Sequence, residues 1–221
     1  IRMPENMQAP VRGVNHSWWN WPVFPPHQHA GLSAVAYVLL DSETGINSRD
    51  NIGTSNFIAP GGMHSTTAGR GIIHEEVPAE SNKTVHSLQI FVGLSAGKQS
   101  MPPEALPLEA SEIPVVRTDK YSVRIPAGDF QGIKSPLLPP EEITILDISL
   151  EKNAVIELPL SADHCAFILP VYGEVNIDGL KFNHNDLRVP VYSSQDKPVT
   201  LFAEATEEKT KFMFFSGPPL S

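Results

Sequence analysis

The chain has one cysteine, Cys165, among 221 residues, which excludes an internal disulfide and any small scaffold stapled by several of them. A reducing compartment follows as the expectation, and with it a cytoplasmic location. Basic residues are scarce: 16 Lys and Arg stand against 25 Asp and Glu, for a net charge of -9, and no basic run is present. Such a surface repels a phosphate backbone, so no direct nucleic-acid partner is expected. Long apolar runs are missing as well. No stretch reaches the length that spans a bilayer, and the opening IRMPENMQAPVRG has no apolar leader core, so no membrane partner is expected either. The last absence is helical periodicity, which few windows of useful length show. With 21 prolines, 15 glycines and 41% hydrophobic residues, the chain reads instead as many short strands joined by turns around a packed interior. The fold class is all-β.

Strand-like runs bounded by turn residues fall at 32–40, 54–60, 71–77 and 85–94 in the first half. In the second half they fall at 142–150, 153–160, 164–177, 186–192, 199–205 and 210–217, and Asp178-Gly179 between apolar runs marks a hairpin. Between the halves, AGKQSMPPEALPLEASEIPVV is rich in Pro, Glu and small residues and reads as a connector with one short helix around Pro107 to Glu112. The expected organisation is two β-barrels in tandem: 1–100, a linker over 101–118, and 119–221.

Histidine is shared unequally, six of eight lying before position 90. FPPHQHAG places His27 and His29 two residues apart, and GRGIIHEEVP does the same for His74 and Glu76. Strand side chains alternate faces, so each pair projects to one side with Cα atoms about 6.6 Å apart. One such pair on a wet face is commonplace, and the uniformly apolar opposite face of this run, Ala30, Leu32, Ala34, Ala36 and Val38, also fits a strand whose histidines face water. Two matched pairs, each beside a Gly/Pro turn, point to a divalent transition metal held by His27, His29, His74 and Glu76, with positions left open. The same spacing turns Glu75 away. His64, in APGGMHSTT, reads as a turn residue near the rim rather than a fifth ligand or a pocket base, and His16 and His86 as ordinary surface or strand residues. Imidazole and carboxylate ligands do not distinguish iron, nickel, manganese and copper.

FPPHQHAGLSAVAYVL, then TAGRGIIHEE (Thr67 to Glu76) and LQIFVGL, resemble the pirin family of the cupin superfamily. The likeness runs from about Pro22 to Gly217 and includes HCAFILPVYGEV and FFSGPPL near the end. It implies two cupin-type barrels, a bicupin, with metal in the N-terminal one only. The family's ligands fall on His27, His29, His74 and Glu76, and its metal is usually iron(II). The resemblance also implies one of two roles: a dioxygenase cleaving flavonols in the quercetin 2,3-dioxygenase manner, or a metal-dependent regulator that binds a partner protein. In the first, Glu76 is the catalytic base. Ser33 stands where relatives carry a glutamate. Trp18, Trp19 and Trp21, just before the first pair, read either as an aromatic wall for a substrate or as filler at a barrel end. Arg70 reads either as an anion contact or as part of a tight turn.

Overall fold

The computed structural model describes residues 24–220. Every element among them is a β-strand. The first eight are β1 (Phe24–His29), β2 (Leu32–Val38), β3 (Ile46–Asp50), β4 (Ser55–Ile58), β5 (Met63–Thr67), β6 (Ile72–Pro78), β7 (Ser87–Gly93) and β8 (Glu104–Leu108). They form two antiparallel four-stranded sheets, ordered β1-β6-β3-β4 and β7-β2-β5-β8. Twelve more follow: β9 (Val115–Arg117), β10 (Tyr121–Ala127), β11 (Asp129–Phe130), β12 (Ile133–Lys134), β13 (Thr144–Leu150), β14 (Val155–Leu160), β15 (Cys165–Tyr172), β16 (Glu174–Ile177), β17 (Leu180–Asn183), β18 (Val191–Tyr192), β19 (Val199–Ala205) and β20 (Thr210–Gly217). Their larger sheets are β18-β15-β20-β13-β10-β9 and β14-β19-β16-β17. Among the described residues no helix is long and apolar enough to cross a membrane.

The chain divides into two compact units. One covers 24–112 with 139–141 and Leu220; the other covers 113–138 and 142–219. Their interiors differ in chemistry. The second unit is filled by apolar side chains, among them Ile125, Ile148, Ile168, Phe212 and Phe214, each 1% exposed or less. Alternation is what fills it: along β14 the burial runs exposed, buried, exposed, buried, so Ile156, Leu158 and Leu160 point inward. The first unit has a smaller apolar cluster, Ala36, Val38, Ile46, Ile58 and Val85. The rest of its buried set includes Ser48, His64, Thr66, His74 and Glu76.

Several expectations are revised. The connector supplies strands: β8 pairs with β5 and β9 with β10, so 101–112 belongs to the first unit and 113–118 to the second. No helix forms around Pro107 to Glu112; Pro107 sits in β8, and the backbone turns after it with Glu112 N bonded to Glu109 O. The edge role explains how a strand tolerates Pro107, since an edge position need not donate to a ladder on both sides. The run at 186–192 is strand only at Val191–Tyr192. The Asp178-Gly179 turn does join β16 to β17, with Ile177 opposite Leu180.

Strands β1 and β2 are not one straight run. Gly31 has φ +72, its N–H donates to Gly69 O at 2.8 Å and its carbonyl accepts from Leu94 N at 3.1 Å, and the chain passes there from one sheet to the other. The alternation is thereby reset, so Ala34, Ala36 and Val38 face the same interior as His27 and His29 instead of the opposite side. The TAGRG stretch is likewise backbone geometry. Gly69 has φ +52, and a Cβ there would lie 2.2 Å from Met101 O. Arg70 donates its N–H to that same carbonyl and leaves its side chain exposed. Gly69→Ala is expected to lose at least about 2 kcal/mol from the left-handed conformation and the clash together, roughly 4–8 °C in melting temperature. Gly97→Ala, with open space around its Cβ, should shift stability by less than about 0.5 kcal/mol. Equal melting curves for the two variants would contradict this reading of the turn.

Candidate metal centre

Two prolines begin the site. Pro25 and Pro26 have no N–H for a ladder, and they occupy the edge strand β1 where its pairing with β6 shifts register between Phe24 and His27. Pro25 keeps its carbonyl, which accepts a hydrogen bond from His27 Nδ1 at 2.7 Å. That bond places the proton of a neutral imidazole on Nδ1 and leaves the Nε2 lone pair for the interior. Past the bulge, His27 lies opposite His74 and His29 opposite Ile72. Residues directly across an antiparallel ladder share a face, so the spacing of two and the cross-strand register bring three rings together.

The geometry is close. His27 Nε2 lies 2.9 Å from His29 Nε2 and 3.1 Å from His74 Nε2. The ligand atoms of His27, His29 and His74 all lie within 4.8 Å of one another, the metal-capable cluster found among the described residues. Ring centroids are 4.5–5.0 Å apart. Two nitrogens bound at right angles to one metal at about 2.1 Å would be about 3.0 Å apart, which matches both contacts. The donor set agrees: three imidazole nitrogens gathered at one point are ligands that a divalent transition metal takes. His74 Nδ1 is buried with no partner. The residues fit a metal.

Burial also sets their charge. His74 is pushed down to about 4 by burial, with His27, His29 and His64 adding repulsion and Asp50 opposing it. His29 is lowered by burial and then by His27. Imidazoles that stay neutral keep the lone pairs a metal needs. Asp50 pairs opposite His74 and caps the β3–β4 turn by accepting from Ile52 N and Thr54 N at 3.0 and 2.8 Å.

Glu76 occupies the same face of β6 as His74, 2% exposed, opposite Phe24 on β1 and Ser48 on β3. Burial raises its carboxyl to about 7. Its oxygens are not part of the group formed by the three imidazoles. Glu75 is opposite Arg49 on the other face, half-buried, as the alternation requires. His64 is corrected: it is a strand residue in β5, 2% exposed, with Asn56 Nδ2 at 3.1 Å from its Nδ1. Ser33 does not line the site; it lies on the other face of β2 from Ala34, with Oγ 3.1 Å from Thr67 Oγ1. His86 bonds Asp41 at 2.9 Å in the loop region before β7. His16 and the three tryptophans lie outside the described residues.

An aromatic wall the sequence reading missed is Phe91 on β7, whose ring centroid is 5.4 Å from that of His29. It pairs with Ala34, an inward position, and that parity was the available signal. His29→Ala is expected to cut bound iron(II) from one per chain to under about a tenth after desalting, because a two-imidazole remnant binds weakly. Ser33→Ala, on the other face, should retain full occupancy. Elemental analysis of the two variants decides; full iron in His29→Ala would remove that residue from the ligand set.

The pirin family model matches residues 11–92. The chain is 32% identical to Pirin-like protein 2 of Arabidopsis thaliana over 205 residues, 89% of this chain and 61% of that protein. It is 30% identical to Pirin-1 of the same plant over 203 residues, 89% of this chain and 67% of that one. This chain therefore spans about three fifths to two thirds of the length of those relatives. Among solved structures, a quercetin 2,3-dioxygenase from Acinetobacter baumannii superposes with a TM-score of 0.81 at 20% identity, covering 97% of this chain and 68% of that one. The bacterial pirin YhhW from Escherichia coli, solved in complex with nickel(II), superposes with a TM-score of 0.64 at 19% identity, covering 89% and 77%. At those identities the structures show a shared all-β fold. Fold and sequence agree, and the chain belongs to the pirin family.

Proposed function

We propose that this chain is an iron-dependent oxidoreductase that cleaves flavonols, a dioxygenase of the quercetin 2,3-dioxygenase type. The observation that carries the reading is the convergence of three imidazole nitrogens, 2.9 and 3.1 Å apart, beside the ring of Phe91. His27, His29 and His74 would hold the metal, with Glu76 as the fourth expected ligand. When bound, a divalent metal of this kind supplies Lewis acidity and open positions for a flavonol oxygen and dioxygen.

The protein's own groups do the rest. The Pro25 carbonyl fixes the His27 tautomer so that Nε2 faces inward. Phe91 offers an apolar face to an aromatic ring, which stacks or meets it edge-on. His27 and His29 are half-buried on the edge strand while His74 is buried. Glu76 would accept the 3-hydroxyl proton at a carboxylate oxygen once its own bond to the metal loosens.

Protein reconstituted anaerobically with iron(II) is expected to consume one dioxygen per quercetin, since a dioxygenase places both oxygen atoms in its products. His29→Ala should consume none. An oxygen electrode reads both. Absence of uptake from protein that demonstrably holds its iron would overturn the enzyme reading and leave the metal-dependent regulator, with a protein partner, in its place.

A further inference from the structure

The interior of the first unit holds a second polar pair that the metal centre does not use. His64 is directly across β2–β5 from Ala36, and Ala36 packs with Val38, Ile46 and Ile58, so His64 projects inward. Asn56 is across β3–β4 from Ser48, which is across β3–β6 from Glu76, so Asn56 projects inward from the other sheet. The two side chains meet at 3.1 Å, Asn56 Nδ2 to His64 Nδ1. The pair adjoins the centre: Ala36, opposite His64, shares the inner face of β2 with Ala34, and Ala34 lies opposite Phe91, whose ring centroid is 5.4 Å from that of His29. His64 itself is not among the clustered nitrogens.

The pairing defines what His64 offers. An amide nitrogen only donates, so His64 Nδ1 accepts and a neutral ring carries its proton on Nε2. Burial keeps the ring neutral, holding it down to about 4, with Asp50 opposing the shift. A 2% exposed imidazole fixed by an amide is a pre-set N–H donor in a low-dielectric interior. Around it the inner positions Ala34, Ala36 and Phe91 present small or aromatic surfaces.

We infer that His64 orients the substrate: its Nε2–H donates to a carbonyl or oxyanion oxygen of a planar hydroxy-ketone bound at the three-histidine centre, and Asn56 fixes the tautomer that makes this possible. The inference rests on the flavonol reading and narrows it to ligands with a second oxygen acceptor beside the one that reaches the metal. A flat aromatic without that acceptor is held less well.

Binding of 3-hydroxyflavone to nickel(II)-loaded protein, followed by the ligand's own fluorescence, separates this role from turnover. Wild type, His64→Leu and His64→Gln are compared at equal, measured metal content. His64→Leu should weaken binding about tenfold through loss of one buried hydrogen bond. His64→Gln keeps an amide donor and should stay within about threefold of wild type. Wild-type affinity in His64→Leu, or loss of nickel from either variant, would overturn the assignment, the latter by making His64 a ligand. If His64→Leu does not fold, Asn56→Leu releases the tautomer and should weaken binding about threefold; unchanged affinity there overturns the role equally. Binding that depends on His64 in a protein that never consumes oxygen with quercetin keeps the orienting role and rejects the dioxygenase. A wild-type protein that does not bind 3-hydroxyflavone rejects both.

Discussion

The pairing of the proline-led edge strand β1 with β6 is the constraint on which the site depends. It sets His27 opposite His74, and the two-residue repeat then carries His29 and Glu76 onto the same inner face. A slip of one residue would turn every one of these groups outward. The register is held by two backbone devices: the bulge at Pro25 and Pro26, and the Gly31 and Gly69 corner where the chain changes sheet. The chemistry of the centre is therefore written mostly in backbone geometry.

The two units show how one fold separates packing from chemistry. In the second, inward positions carry mostly Ile, Leu, Val, Ala and Phe. In the first, small residues such as Ala34 and Ala36 hold the inner wall back, and polar groups occupy what remains. Burying those groups is costly unless each finds a partner. Several do: Asn56 meets His64 and Ser33 meets Thr67. His74 Nδ1 does not.

Much of this was legible in the residues. Alternation in strands such as Val155–Leu160, and the Asp-Gly hairpin after Ile177, read directly as structure. The face shared by His74 and Glu76, and the exclusion of Glu75, followed from period two alone. What escaped were strands whose buried faces are polar. MHSTT is wholly buried in β5, yet its composition and the preceding Gly61-Gly62 read as a turn, so His64 was placed at a rim. EALPL looked like linker because its Pro and Glu are edge-strand residues. The distance of the Glu76 carboxylate from the trio is a matter of side-chain reach, which periodicity does not contain.

The measurement that bears most directly on the centre is iron K-edge X-ray absorption of the iron(II)-reconstituted protein, since outer-shell scattering from imidazole rings counts bound histidines. Three imidazoles are expected, falling to two in His27→Ala if the variant is supplied with excess iron. One imidazole or none in the wild type would contradict a centre built by the β1–β6 ladder.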